Sequence, residues 1–308
     1  MSKVLITGGS GLIGMELSKT LADQGVEVLH LSRKVTGNEV YPTYKWDLDA
    51  GTMDAAALKG VSSIIHLAGA SVADEKWTEE RKQVILESRT STARLLLETC
   101  KKNNIRLKNF ISASAIGWYP LIVSKEKMDE SSPRGEGFLA DVCDEWERMA
   151  DTFQEVADNV SKISIGMVLA KDSGALAQIE RPIRYYVGAG LGSGKQYIPW
   201  IHLKDVCNIF AFVHKHNLSG IFNAVGPEHA TNQDFMQTLA DVMDKPLILP
   251  NIPEFVIRMI FGESAEMVLN GVPLSSAKIQ KAGFQFDYPT LNSSLFDIYW
   301  SNTIKPGV

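Results

Sequence analysis

The first half of the chain alternates short apolar runs with longer segments in which apolar residues recur every three to four positions. Val4-Leu5-Ile6 reads as a first strand, and Leu12 to Gln24 as the helix that follows it. Val26 to Leu31 predicts a second strand, Tyr44-Lys45-Trp46 a weak third, and Ser63 to Leu67 a fourth. Asn109 to Ser112 predicts a fifth and Ser161 to Met167 a sixth. Long helical patterns cover Glu79 to Lys102 and Glu136 to Val156. Parallel neighbours need a crossover of a dozen or more residues, so strands bridged by such helices imply βαβ units. The predicted class is α/β, a doubly wound parallel sheet with helices on both faces.

Past residue 170 the pattern loosens. Lys171 to Trp200 is glycine-rich, with Gly188, Gly190, Gly192 and Gly194, and reads as loop and helix. Leu203 to Lys215 predicts a helix, and Gly220 to Ala224 a strand that returns to the sheet. From Thr231 onward short helices are broken by Pro246, Pro250, Pro253 and Pro273. The expected organisation is a first domain over 1–170, with a returning segment at about 203–225. A small, mostly helical C-terminal lobe takes 171–202 and 226–308.

Composition narrows the classes. The 308 residues are 45% hydrophobic and 22% charged, an ordinary globular balance with ample apolar material for a core. Net charge is −5, from 31 basic and 36 acidic residues, so no basic surplus points to nucleic acid. Cys100, Cys143 and Cys207 stand far apart, which argues against a disulfide framework and for a reducing compartment. Lys3 to Ile6 enters strand-like sequence with no signal-peptide layout, and no apolar run reaches the length of a membrane span. The expected setting is the cytoplasm, with neither membrane nor nucleic acid as partner.

The strongest motif is Thr7-Gly8-Gly9-Ser10-Gly11-Leu12-Ile13-Gly14, which follows the first strand and opens the first helix. Gly9, Gly11 and Gly14 fit GxGxxG; Gly8, Gly11 and Gly14 fit GxxGxxG. An early glycine permits the tight turn, Gly11 has no Cβ to fend off a pyrophosphate, and Gly14 lets helix and strand pack closely. Free N–H groups and the positive helix end then face the phosphates. This context makes the fold Rossmann-type and the ligand a dinucleotide. The competing reading is a glycine-rich turn with no ligand. NAD enzymes usually place an acid at the tip of the second strand for the ribose 2′-OH. Here the tip is Ser32-Arg33-Lys34. Arg33 attracts a 2′-phosphate where a carboxylate would repel it, and Ser32 can add a hydroxyl bond. The sequence therefore favours NADP(H), against the plain alternative of a solvated basic turn. Asp47 lies on the adenine side or is a simple loop residue.

With these residues in place, the chain resembles the extended or atypical short-chain dehydrogenase/reductases. It is most similar to an NAD(P)-dependent epimerase subgroup, the SDR39U1-like and YfcH-like proteins. The match rests on Leu67-Ala68-Gly69, Trp77 to Lys82, Ser88-Arg89, Ser112-Ala113-Ser114-Ala115, Gly192 to Gln196, Trp200-Ile201-His202 and Ala282 to Phe286. It covers nearly the whole chain. The resemblance implies cofactor contacts at Gly8, Gly9, Ser10, Gly11, Leu12, Ile13 and Gly14, at Ser32 and Arg33, at Leu67, Ala68 and Gly69, at Arg89, and at Met167. Arg89 also follows the fourth strand, from where it can reach the strands' carboxyl ends; a surface arginine in a helical pair is the plain alternative.

The family usually works with Ser, Tyr and Lys, the last two spaced YxxxK on a helix. Tyr exchanges a proton with the substrate oxygen, Lys lowers its pKa, and Ser orients the oxygen. Ser114 stands where the resemblance puts the serine, with a turn or cap hydroxyl as the alternative. The pair is missing. Phe138 to Glu147 holds neither Tyr nor Lys, and alignment on Glu147 puts Leu139 and Cys143 in the two places. Tyr119, in Gly-Trp-Tyr-Pro, is the substitute proton donor; substrate stacking or loop packing by Trp118 and Tyr119 fits equally. His202 beside Asp205 is either an acid/base pair or a structural histidine at a helix start. Lys195, Trp200 and His202 flank the second glycine stretch, a candidate substrate side. His214 and His216 are expected to be solvated, and no metal-ligand spacing is present. The expected activity is an NADP(H)-binding oxidoreductase or epimerase acting on a small polar substrate of the nucleotide-sugar kind. The alternative is a non-catalytic NADP(H)-binding sensor. Assembly as a homodimer is compatible with the sequence but not marked by it.

Overall fold

The computed structural model describes residues 2–300. Eight strands form the main sheet: β1 (Lys3–Thr7), β2 (Glu27–Ser32), β3 (Thr43–Asp47), β4 (Thr52–Met53), β5 (Ser63–His66), β6 (Leu107–Ala115), β7 (Ala157–Ile165) and β11 (Gly220–Ala224). Their order is β11-β7-β6-β5-β1-β2-β3-β4. β1 pairs in parallel with both β2 and β5, and β2–β3 and β5–β6 are also parallel. The chain thus leaves β1 toward one side and later returns to its other side. That makes β1 the switch point of a doubly wound sheet, where ligands bind at the strands' carboxyl ends. β4 adds an antiparallel edge of two residues, Trp46 opposite Met53 and Asp47 opposite Thr52.

Two further ladders are short: β8 (Met167–Leu169) with β10 (Trp200–His202), and β9 (Tyr197–Ile198) with β12 (Ala230–Thr231). The longer helices are α1 (Leu12–Asp23), α2 (Glu79–Lys102), α3 (Phe138–Asp151), α4 (Gly174–Arg184), α5 (Leu203–His216) and α6 (Asn232–Val242). α7 (Glu254–Phe261), α8 (Glu266–Leu269), α9 (Ala277–Lys281) and α10 (Leu291–Trp300) complete the set.

The described residues divide into two compact units. The first takes 2–115, Gly137–Ser164 and Cys207–Phe222; the second takes Ile116–Glu136, Ile165–Val206 and 223–300. Residues 116–136, which the sequence reading left inside the first domain, pack with the second unit.

In the first unit Val4, Leu5 and Ile6 are wholly buried, as is usual for a strand covered on both faces. Leu29, Leu31, Ile64, Leu96, Phe110 and Phe153 share its core, and the Phe110 and Phe153 rings stack at 6°. Each such side chain contributes about 1.5–3 kcal/mol by leaving water. α2 is 24 residues long because its ends are well made. The Thr78 hydroxyl caps the Arg81 N–H, Glu79 and Glu80 occupy the first turn, and Lys101 and Lys102 the last. α3 ends at Asp151 rather than Val156. Thr152 turns its hydroxyl onto the Met149 carbonyl, and the chain tightens into a 3-10 turn over Thr152–Glu155. The second unit has its own core of Leu176, Ile183, Trp200, Phe235, Leu239 and Leu295.

Candidate functional site

The carboxyl ends of β1, β2, β5 and β6 carry the glycine turn, Ser32-Arg33, Leu67-Ala68-Gly69 and Ser114. Adjacent parallel strands therefore bring four of the expected elements to one edge of the sheet. The Thr7 hydroxyl ties two of them together, accepting the N–H groups of Leu67 and Ala68, each at 3.2 Å.

Each glycine of the turn has its own reason. Gly8 has φ +71°, and a Cβ there would lie 3.0 Å from the Leu67 carbonyl carbon and oxygen. A Cβ on Gly14 would fall 2.3 Å from the Gly8 oxygen and 2.7 Å from the Gly9 Cα. Gly11 differs: its Cβ would meet only the Gly8 oxygen, at 3.3 Å, so its outer side is open. Gly11 is also the N-cap of α1, which has no side-chain cap and no acidic residue in its first turn. Two of the other long helices contrast with it, whereas α3 and α4 also lack a side-chain cap. Thr78 caps α2, and Thr231 with Asp234 forms a capping box on α6. α1 therefore presents first-turn N–H groups and its positive end without an internal partner, the arrangement that receives phosphate. Ser10 and Leu12 are exposed and Ile13 half-buried around it.

At the tip of β2, Ser32 is half-buried and its Oγ accepts the Lys34 N–H at 3.3 Å. Arg33 and Lys34 are exposed, and neither forms an ion pair among the described residues. The next carboxylate along the chain is turned into its own loop. Glu39 accepts the Thr36 and Gly37 N–H groups, and those bonds hold its pKa below the usual value. Asp47 likewise closes a turn, accepting the Ala50 N–H at 3.0 Å.

Arg89 on α2 lies over Gly69, where a Cβ would come within 3.0 Å of its Cζ. Its guanidinium stacks 4.8 Å from the Trp146 ring and donates to the Ile85 carbonyl at 2.8 Å. No carboxylate pairs with it among the described residues, and burial lowers its pKa to about 10. It is a half-buried cation held by an aromatic face, not a surface arginine in an i,i+4 ion pair.

Ser114 is 1% exposed and donates to Glu147 Oε1 on α3 at 2.6 Å. Burial raises the Glu147 pKa, against the Ser114 hydrogen bond and the charge of Lys162. Sequence reasoning used Glu147 only as an alignment point; its spacing on the buried face of α3 was the signal for this partner. Cys143, also buried, donates to the Ala115 carbonyl at 3.4 Å, and burial followed by the Glu147 charge pushes its thiol up to about 12. Neither Leu139 nor Cys143 can replace the Tyr/Lys pair.

Tyr119 and Met167 belong to the second unit. Tyr119 is buried with Val225, Val272 and Leu274, and its hydroxyl donates to Asn223 Oδ1 at 2.9 Å. Met167 opens β8 and its N–H donates to the Pro199 carbonyl. The glycine stretch of this unit is filled from within. A Cβ on Gly188 would lie 2.6 Å from Ile183 Cγ1, on Gly190 2.4 Å from Asn251 Oδ1, and on Gly194 2.9 Å from Asn251 Nδ2. His202 takes the structural reading. It is buried, its Nδ1 accepts the Lys204 N–H, and its Nε2 lies 3.4 Å from Asp297. Asp205 instead accepts the N–H groups of Asp287 and Tyr288. In the first unit His214 corrects an expectation of solvation. It is 9% exposed, its Nε2 lies 3.3 Å from Ser2 Oγ, and only His216 faces solvent. All three cysteines are buried and unbridged. Among the described residues no group of His, Cys, Asp and Glu is placed to hold a metal, and no helix is long and apolar enough to cross a membrane.

Comparison with known proteins agrees with this geometry. Residues 4–137 match the NAD dependent epimerase/dehydratase family, and 252–298 match a domain of unknown function, DUF1731. Epimerase family protein SAR0825 of Staphylococcus aureus is 32% identical over 303 residues, covering 97% of this chain and 99% of its own. Epimerase family protein ML0860 of Mycobacterium leprae is 32% identical over 294 residues, covering 95% and 94%. Among solved structures, human epimerase family protein SDR39U1 with NADPH superposes with a TM-score of 0.85 at 28% identity, covering 96% of this chain and 98% of that one. MoeE5 in complex with UDP-glucuronic acid and NAD shares the fold, with a TM-score of 0.77 at 18% identity over 98% and 99%. The chain belongs to the NAD-dependent epimerase/dehydratase family of short-chain dehydrogenase/reductases, among its epimerase family proteins.

Proposed function

We propose that this protein binds NADP(H) and works as a cytoplasmic oxidoreductase or epimerase on a small polar substrate of the nucleotide-sugar class. One observation carries the reading: α1 begins uncapped at an open Gly11, beside a β2 tip whose Arg33 has no acidic partner among the described residues. The first-turn N–H groups of α1 suit a diphosphate. Arg33, with Lys34 and Ser32, suits a 2′-phosphate. The NADPH in the human relative supports the same choice. When bound, the dinucleotide supplies or accepts a hydride. Leu67 to Gly69 border it, and Arg89 offers a cation held over Gly69. Ser114 is assigned to the reacting oxygen. Tyr119 is the second catalytic assignment; its hydroxyl is given to Asn223 as that of Ser114 is given to Glu147.

A second reading is an NADP(H)-binding sensor without turnover. It is favoured by α3, where Leu139 carries no proton and the Cys143 thiol is too weak an acid to serve.

Tryptophan quenching by NADPH and NADH, with wild type and Arg33→Ala, tests the cofactor. The expected result is NADPH binding that the substitution weakens by about tenfold or more, near 1.4 kcal/mol, with NADH unchanged. Equal affinity for both dinucleotides overturns the choice of NADP(H). Substrate-dependent oxidation of NADPH across a panel of nucleotide sugars separates enzyme from sensor.

A further inference from the structure

A histidine lies directly against the glycine turn. His30, on β2, is 6% exposed. A Cβ built on Gly9 would lie 2.5 Å from its Cγ and Cδ2 and 2.6 Å from its Nδ1. The imidazole thus fills the space that any side chain at position 9 would need, and Gly9 is glycine because of it.

The other ring nitrogen can be assigned from hydrogen-bond bookkeeping alone. His30 Nε2 is 2.7 Å from Ser18 Oγ on α1. Ser18 Oγ has one proton and donates it to the Gly14 carbonyl at 2.6 Å. A hydroxyl already donating can only accept from its second partner. Nε2 therefore carries hydrogen, and Nδ1, which meets Gly9 together with Cγ and Cδ2, is bare in the neutral ring. The relay runs from His30 Nε2–H through Ser18 Oγ–H to the Gly14 oxygen. It ties β2 through α1 to the last glycine of the turn.

The surroundings leave the ring uncharged. Tyr41 packs against it with ring centroids 5.1 Å apart. The Tyr41 phenol is itself shifted upward by burial and then by Asp23 and Glu16 of α1. The turn contributes no ionisable side chain, and no carboxylate forms an ion pair with His30 among the described residues. Burial holds its pKa below the ordinary value.

We propose that His30 is a positioning residue for the dinucleotide's diphosphate: its ring shapes the floor of the turn, and its bare Nδ1 takes up a proton from solvent when that dianion binds. The inference rests on the dinucleotide reading above. It makes affinity pH-dependent, because a group whose pKa rises on binding strengthens binding as pH falls toward it. The Nε2 bond to Ser18 survives in both charge states, so the turn keeps its shape while its charge changes.

NADPH titrations between pH 5.5 and 8, with wild type and His30→Gln, test the proposal. Glutamine offers an N–H donor toward Ser18 but cannot be protonated. The wild type is expected to bind about tenfold more tightly at the acid end, the ratio set by a one-unit shift on binding. Whatever its affinity at pH 8, His30→Gln should lose that gain, its affinity changing with pH only as far as the 2′-phosphate makes it. Any pH effect of the 2′-phosphate itself remains in both proteins. Calorimetry in two buffers of different ionisation enthalpy should show more proton uptake by the wild type. Identical pH profiles for the two proteins overturn the inference while leaving dinucleotide binding intact. Absence of binding at every pH overturns the functional reading, and the proton uptake with it. Nitrogen NMR of the ligand-free protein is an independent check. The Nε2–H tautomer at pH 7.5 is expected, and an Nδ1–H tautomer overturns the relay whatever the protein binds.

Discussion

The molecule contains two glycine-rich segments of similar length, one in each unit, and they are glycine-rich for different reasons. In 188–194 the missing Cβ atoms make room for side chains of the same unit: Ile183, Asn251 and Leu269. The loop is then tied down by amides. Asn251 donates to the Gly192 carbonyl, Gln196 donates to the Leu191 carbonyl, and Asn232 accepts the Leu191 N–H. In 8–14 the near atoms at Gly8 and Gly14 are backbone, the one side chain is His30, and Gly11 faces no side chain at all. A glycine whose empty side is filled by its own protein marks close packing. A glycine whose empty side stays open beside uncapped amides marks a place for something else.

Three glycine substitutions can break or sharpen this contrast. Gly14→Ala should have the largest effect on stability, about 3 kcal/mol in urea unfolding, because the clash is with backbone that cannot step aside. A smaller loss would mean that α1 can slide on β1. Gly190→Ala should cost about 1–2 kcal/mol, since the Asn251 amide it meets can rotate. Adding Asn251→Ala should recover part of that loss, a coupling that unfolding of the double variant measures. Dinucleotide binding by Gly190→Ala should stay as in the wild type; if it falls, the second segment is not merely packing. Gly11→Val should change stability least, by less than about 1 kcal/mol, as its φ of −78° suits any residue. It should nonetheless weaken NADPH binding about tenfold or more, which titration would show. Unchanged affinity would remove the turn from the site.

Much of the fold was legible because its signals are local. The apolar run at Val4 to Ile6, the glycine turn and the α2 pattern each depend on neighbours in sequence, and each lies where the pattern put it. The segment Gly220–Ala224 came out with the same bounds. What escaped depends on partners far along the chain. β4, β9 and β12 are two residues each, too short to show a period. The grouping of 116–136 with the second unit is set by packing, not by any break in composition. At the candidate site, glycine spacing and the basic β2 tip were readable. The direction of the Ser114 hydroxyl was not, because it is decided by Glu147, 33 residues later. His30 was passed over for a similar reason: in sequence it is one polar residue inside a strand, and only the fold sets it beside Gly9. At 188–194 the side chains that fill the glycines' empty sides were not legible, since sequence does not show what occupies the space a glycine leaves.

Six chain segments alternate between the two units, so neither unit is a continuous stretch of polypeptide. The sheet's outermost strand at one edge, β11, is made only at Gly220–Ala224, after most of the chain has been synthesised. Its neighbour β7, Ala157–Ile165, must wait for it with an unpaired edge. Contacts of such long sequence separation slow folding, and waiting strand edges invite association with other chains. A fragment ending near residue 170 would keep the glycine turn yet lose that outer strand. A minimal binding module cut from the first unit is therefore expected to fold poorly, because that unit is assembled from segments spread along the chain.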